Sequence, residues 1–406
     1  MRSLSLPIFA VLGISLFSYD SSDYFKFIPF SVGLSDIAVL ILLFYSLFKY
    51  RSIEISSIPL ATSLLALILL ISGIYNYLSF PFFNLQNFSF NYLRVTGIVA
   101  MVLLLPPLFN ELGKDKMTKA MVWVIRFHCL AILLDSFGYI PVEFKIGNDT
   151  NRPVGFFYEP GWFGVWIGLA IFYVLQVSRN YSYQYFRVFD IIFFSSAIII
   201  STGIRGLIFL VVAWIIMIFN MRWKTRVSLG LSVLIFIVFL FLGGDKLLPK
   251  YSDNQVGSLN AIEYMERRLP VLMPGATFKD GSVLDRIENT RVGAIFTMQN
   301  SPLLGVGLGG ENWFVRLPVY KDITNLAGNE AGSSGSSAMM LSVFLSGGFL
   351  SLIIYLFIGV RLLYNSSTRI IGVSLGIASL IWGGVFEVFI WFFVSLAVSL
   401  SMTEKR

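Results

Sequence analysis

Thiol and imidazole groups are nearly absent from this chain. It has one cysteine, Cys129, and one histidine, His128. A single cysteine excludes an internal disulfide and any multi-cysteine zinc site, and a single histidine argues against histidine-rich metal chemistry. Charge is scarce too: 13% of the 406 residues carry it, against about 25% in a soluble protein. No phosphate loop of the Walker type occurs. The run Gly305-Val306-Gly307-Leu308-Gly309-Gly310 is not a dinucleotide fingerprint, because it follows Pro302 rather than a strand; it reads as a tight turn closing an amphipathic helix. The internal repeat that marks many secondary transporters is missing as well.

What the chain has is apolar length. Hydrophobic residues make up 56% of it, and mean hydropathy is +0.77. This composition predicts an all-α, polytopic membrane bundle of about twelve transmembrane helices, each near the roughly 17–25 residues a span requires. The expected spans are 4–19, 33–48, 57–77, 90–109, 118–138, 160–177, 187–203, 206–221, 227–243, 336–360, 368–384 and 386–402, with a long polar loop over 244–335. The first of these resembles a signal peptide but lacks a clear small-residue cleavage site, so it reads as a membrane helix. Four segments follow: N-terminal spans over 1–150, central spans over 151–243, the polar loop with amphipathic helices over 244–335, and C-terminal spans over 336–406.

The net charge of +7 invites a nucleic-acid reading. The placement of the cations argues against it. With a cytoplasmic N-terminus, the inside connections carry Lys49 and Arg51, Lys114, Lys116 and Lys119, Arg179 and Arg187, Arg222, Lys224 and Arg226, Arg361 and Arg369, and Lys405 and Arg406. That is the positive-inside pattern, and it predicts that the polar loop, Arg152, Glu159 and Arg205 lie at the outer face.

Ionisable groups near a bilayer usually face a cavity, a partner or a substrate. Arg152 and Glu159 flank Pro153-Val154-Gly155-Phe156-Phe157-Tyr158, just before Pro160. Pro160 suits a first helical turn, and Phe156, Phe157, Tyr158 and Trp162 suit the headgroup level; neither reading accounts for the two charges. Arg205 sits in Ser201-Thr202-Gly203-Ile204-Arg205-Gly206. It is either an arginine snorkelling to the interface or, with glycines allowing close approach, a planar donor fork for phosphate. Arg286 and Arg291 lie in the polar loop on an expected amphipathic helix ending at Asn300-Ser301-Pro302; taken alone, a solvated charged face explains them. His128, Asp135 and Glu387 read as structural polar groups in or near the spans. Gly332-Ser333-Ser334-Gly335-Ser336-Ser337 is either a linker or a helix cap, with a substrate-lining role left open.

The order of these motifs resembles the O-antigen polymerase and ligase superfamily of bacterial envelopes. Arg-x-x-Gly-Phe-Phe-x-Glu-Pro is followed by Ser-Thr-Gly-x-Arg-Gly, then by a long loop ending in Ser301-Pro302-Leu303-Leu304-Gly305-Val306-Gly307, then by Ser346-Gly347-Gly348-Phe349-Leu350. The similarity covers roughly residues 150 to 360. It implies a GT-C-type glycosyltransferase of the bacterial inner membrane, needing no metal and no cofactor and acting at the periplasmic face. Its partners would be an undecaprenyl-diphosphate-linked glycan donor and acceptor, membrane lipids and a chain-length regulator. By the same resemblance Arg205 and Arg286 are catalytic, holding the diphosphate, with Arg291 the fallback for Arg286; Glu159 either serves as the base, with Glu330 competing for that role, or fixes the orientation of an arginine. Arg152, Arg291, Glu330 and Ser334 would bind substrate. The ligases carry a histidine at the end of the long loop, where this chain has Asn329-Glu330-Ala331-Gly332-Ser333-Ser334. That departure favours a repeat-unit polymerase over a ligase; a lipid-linked sugar transporter is the alternative from another class.

An arginine clamp predicts that polymer formation by purified protein persists in excess chelator. Loss of activity that a divalent ion restores would overturn an arginine-only site.

Overall fold

The computed structural model describes residues 4–16, 34–50, 55–79, 85–140, 153–157, 160–178, 188–201, 204–220, 250–253, 257–260, 293–308, 339–381 and 387–403. The elements in chain order are α1 (Ser5–Ser15), α2 (Leu34–Lys49), α3 (Ser57–Ser79), α4 (Leu85–Leu112), α5 (Lys114–Ser136), α6 (Pro160–Ser178), α7 (Val188–Ile200) and α8 (Ile204–Asn220). An antiparallel hairpin follows, β1 (Lys250–Asp253) and β2 (Gly257–Asn260), with Lys250 opposite Asn260. Then come α9 (residues 293–300), α10 (Met339–Tyr364), α11 (Arg369–Ile381) and α12 (Val388–Thr403).

The helical class holds, and the short hairpin is a small exception within the polar segment. The expectation of about twelve transmembrane helices does not hold. Among the described residues, five helices are long and apolar enough to cross a membrane: Ser57–Ser79, Phe88–Leu112, Lys114–Ser136, Pro160–Ser178 and Met339–Tyr364. Ser5–Ser15, Arg205–Ile216, Arg369–Ile381 and Val388–Met402 are apolar but shorter. A bilayer core is about 30 Å thick and a helix rises about 1.5 Å per residue, so a helix as short as α1 reaches roughly half way. Apolar run length counts loop and helix alike, which is why hydropathy overstated the spans. The expected ninth span, 227–243, lies outside the described residues. The protein is thus α-helical and partly membrane-embedded, with several apolar spans.

The chain packs as two units, Met1–Phe44 with Phe109–Met273, and Tyr45–Leu108 with Pro274–Arg406. In the first unit, α5 packs against α1, α6 and α7, and α8 packs against α6 and α7. The core of this unit is α6. It is apolar around its whole circumference, the signature of a helix with no solvent face. Of its apolar window 89% is buried, against 44% in α10.

In the second unit, α3 lies against α10, α10 against α11, and α11 against α12. The α10 helix is broken at Gly348, where φ is 64° and ψ is −161°. A break frees carbonyls before it and amides after it, and both need partners in an apolar setting. The turn over 301–308 supplies them. Val306 and Gly307 donate N–H to the carbonyls of Leu345 (2.6 Å) and Ser346 (3.2 Å). In return, Phe349 and Leu350 donate to the carbonyls of Pro302 (2.9 Å) and Leu303 (3.4 Å). From α3, Ser72 donates its hydroxyl to the Ser346 carbonyl (2.9 Å), and Asn76 donates its amide to Ser72 O (2.7 Å) and Gly305 O (3.0 Å). The expected tight turn after a helix is therefore present: α9 runs to residue 300, and Ser301 donates its N–H to the Thr297 carbonyl.

Glycine is required at this junction. Gly305 has φ 70°, and a Cβ there would lie 2.5 Å from the Leu345 oxygen. Gly305→Ala should cost on the order of 2–3 kcal/mol through strained backbone and close contact. Thermal unfolding in detergent checks this. Gly359→Ala, in open space on the same α10, should be neutral or stabilising, because alanine is the better helix former.

Candidate functional site

Of the residues expected to carry chemistry, Arg205 is described. Arg152, Glu159, Arg286, Arg291, Glu330 and Ser334 lie outside the described residues. Arg205 is half-buried on the first turn of α8.

Its setting follows from glycine spacing on α6. Gly161, Gly164 and Gly168 are three and four residues apart, so they line one face of the helix. Across from them stand Arg205, Gly206 and Phe209 of α8, in that order. The two series increase together, so α6 and α8 run parallel with their N-terminal ends side by side. The backbones nearly touch: a Cβ on Gly164 would be 2.6 Å from Gly206 N and 2.8 Å from its Cα. Small residues permit this close packing between membrane helices. At the N-terminal end of the seam the Arg205 guanidinium lies against the first turn of α6, where a Cβ on Gly161 would meet Nη1 at 2.8 Å.

The approach to α6 is held from α5. The Asp135 carboxylate accepts the N–H groups of Val154 (2.8 Å) and Gly155 (3.0 Å), and Gly155 has φ 58°. Phe157 then turns inward against His128, Phe163 and Trp166 and is 1% exposed. This corrects the expectation of a headgroup aromatic at Phe157: it is a core residue. Phe156 is half-buried and stacks on Phe127 at 5.4 Å. Asp135 has the structural role expected of it, because it pins the chain that leads into Pro160. His128 is a buried polar contact: Ser15 donates its hydroxyl to Leu12 O (2.8 Å), and its Oγ lies within hydrogen-bond distance of His128 Nε2 (2.6 Å).

Sequence reasoning missed an ion pair in this unit. Arg126 donates Nε and Nη2 to the two carboxylate oxygens of Asp190, both at 2.8 Å, joining α5 to α7. The guanidinium also lies 5.5 Å from the Trp123 ring centroid. The two residues are far apart in the chain, and the sequence signal was no more than a charge inside each of two apolar segments. Among the described residues, no three His, Cys, Asp or Glu side chains gather where they could hold a metal ion.

Chemically, the α6–α8 seam is suited to an anion. Each helix N-terminus carries roughly half a positive charge and presents N–H groups with no partner inside the helix. Two such ends lie together here, with a guanidinium between them. In the Arg126–Asp190 pair the fork is filled by a carboxylate.

Removing Arg126 would take two donors at 2.8 Å from the Asp190 carboxylate, which is 3% exposed. Arg126→Met should therefore destabilise by about 3 kcal/mol. Adding Asp190→Leu should recover most of that loss, as read by unfolding midpoints in detergent. Equal loss in both variants would mean the pair contributes only packing.

No family model matches this chain and no curated protein matches it; its function is read from its own residues.

Proposed function

We propose that this protein is a glycosyltransferase of the bacterial inner membrane that joins undecaprenyl-diphosphate-linked oligosaccharide repeat units at the periplasmic face. The observation that carries this reading is the Arg205 guanidinium set between the parallel N-terminal ends of α6 and α8. The motif order from Arg152 to Leu350, which resembles the O-antigen polymerases, supports the substrate class. An acceptor hydroxyl attacks the anomeric carbon of the donor. The new glycosidic bond forms as the bond from that carbon to the diphosphate oxygen breaks, and the lipid diphosphate leaves with the electron pair. Glu159 or Glu330 takes the hydroxyl proton. Fixed positive charge favours the departing diphosphate most in a water-poor site. Arg205 supplies it in this reading, with Arg286 as second donor and Arg152 and Arg291 near it.

One observation favours a second reading, a transporter for the same lipid-linked sugars. Discontinuous helices are common at transporter binding sites, and α10 is discontinuous at Gly348. Turnover separates the two: purified protein given lipid-linked repeat units forms polymer if it is a transferase and none if it is a transporter.

The periplasmic sidedness rests on local charge. Three lysines, Lys114, Lys116 and Lys119, mark the start of α5, and Arg179 follows α6. The positive-inside rule then puts the α5–α6 connection outside. Cys129 is buried, so added thiols report with little background. A cysteine at Asn148 should react with an impermeant thiol reagent in intact cells, and one at Ser182 only after the membrane is opened. Reversed labelling would overturn the sidedness.

Lysine keeps the charge of Arg205 but loses its fork. Arg205→Lys should reduce polymer formation about a hundredfold, equivalent to ~3 kcal/mol of transition-state stabilisation. Arg361→Lys should remain near wild type, because Arg361 bonds to Ser57 Oγ at an exposed position. Near-normal polymer from Arg205→Lys at equal expression would sink the clamp.

A further inference from the structure

Two arginines meet at the turn between α10 and α11. Arg361 lies in the last turn of α10, and Arg369 opens α11. Both are exposed, and each is oriented through its Nε. Arg361 donates to Ser57 Oγ of α3 (3.3 Å), and Arg369 donates to the carbonyl of Leu363 (3.2 Å), two residues along from Arg361. Among the described residues, neither is paired with a carboxylate, and their terminal nitrogens donate to no partner. The turn that carries them is tied down. Asn365 Oδ1 accepts from the N–H (3.0 Å) and hydroxyl (2.9 Å) of Ser367, and Thr368 donates its hydroxyl to Leu362 O (2.7 Å). Capping of a last-turn carbonyl accounts for the Nε of Arg369, but not for the donor edge beyond it. On the α10 turns leading to Arg361, the side chains of Phe357, Val360, Leu363 and Tyr364 are exposed, on a helix long and apolar enough to cross a membrane. An apolar face that ends in two oriented cations matches a molecule with an anionic head and hydrocarbon tails.

We propose that the α10–α11 turn binds an anionic phospholipid: the lipid phosphate accepts from the terminal nitrogens of Arg361 and Arg369, and the acyl chains lie along the exposed face of α10. A guanidinium presents a planar pair of donors to phosphate oxygens, so the edge left open at each arginine is the one that phosphate fits. The Nε bonds and the tied turn hold both groups before the lipid arrives, which lowers the ordering cost of binding. A choline phospholipid carries the same phosphate, but its ammonium offsets the attraction of two cations. A phosphatidylglycerol has no such offset. The positive-inside rule puts this turn at the cytoplasmic leaflet, where basic groups between membrane helices meet anionic headgroups. The site does not rest on the glycosyl-transfer reading.

The experiment titrates full-length protein in uncharged detergent with dioleoyl phosphatidylglycerol or dioleoyl phosphatidylcholine, and counts bound lipid from the mass of the intact complex. Wild type should prefer phosphatidylglycerol. Arg361→Gln and Arg369→Gln should each weaken its binding about fivefold, with phosphatidylcholine binding unchanged. Lys119→Gln is the control for diffuse charge. That lysine is another of the expected inside cations, and it is paired with Asp115 at 2.8 Å, so the variant should bind as wild type does. Equal binding of the two lipids by wild type overturns the site. So does wild-type affinity in the double arginine variant, or an equal loss from Lys119→Gln, which would mean general attraction in place of a site. Displacement by an equal concentration of sn-glycerol 3-phosphate would assign the turn to a free phosphate ester and overturn the lipid. If the arginine variants fail to fold, a salt series on wild type decides. Rising salt should weaken phosphatidylglycerol binding and leave phosphatidylcholine binding unchanged; a flat response for phosphatidylglycerol overturns the inference.

Discussion

Apolar helices in a lipid setting gain nothing by hiding apolar surface from one another, so close backbone approach has to hold them together. Both units of this protein are organised by that constraint, and glycine meets it in each. Gly164 and Gly206 bring α6 and α8 to near backbone contact. Gly305 and Gly348 let the 301–308 turn enter the break in α10. In the first unit the approach creates a seam with two positive helix ends. In the second it repairs a helix whose hydrogen bonds would otherwise be left open. The same residue type thus builds an anion-suited surface in one place and restores a backbone ladder in the other.

Two arginines illustrate how an apolar protein assigns charge. Arg126 lies within α5 and is forked onto Asp190, with an indole ring beside it. That arrangement neutralises the charge and cross-links two helices. Arg205 sits at the end of a helix, against a bare turn of its neighbour. It stands where two macrodipoles point the same way. Residue type alone would not distinguish them; the geometry of the surrounding helices does.

Much of the helix placement was legible because apolar runs bounded by charge or proline mark helices well. Pro160 opens α6 as its fixed φ suggests, and the helix before Pro302 ends where expected. The number of spans was not legible. Hydropathy averages over a window, and it cannot tell a short helix such as α7 from one that crosses. Phe157 was misread for a related reason: an aromatic near a helix end belongs at the headgroups only if no core lies beside it, and here Asp135 turns the chain inward. The pairing of Arg126 with Asp190, and of the 301–307 turn with residues 345–350, involves contacts between distant parts of the chain. No periodicity reports such contacts. At the candidate site, the suspicion of Arg205 came from its two flanking glycines, but the glycine face of α6 that receives it was hidden within a uniformly apolar helix.

The stitched break in α10 also has a meaning for how this chain can change. Its hydrogen bonds run from residues 302–307 to residues 345–350, so they clamp both ends of the stretch between. The entropy of closing such a loop rises only slowly with its length, by about 0.6 kcal/mol for each doubling. Added chain length between the two ends would therefore cost the clamp little. Because these bonds are made by backbone groups, the clamp depends on the path of the chain and on the positive φ of Gly305, Gly307 and Gly348 more than on the other side chains there.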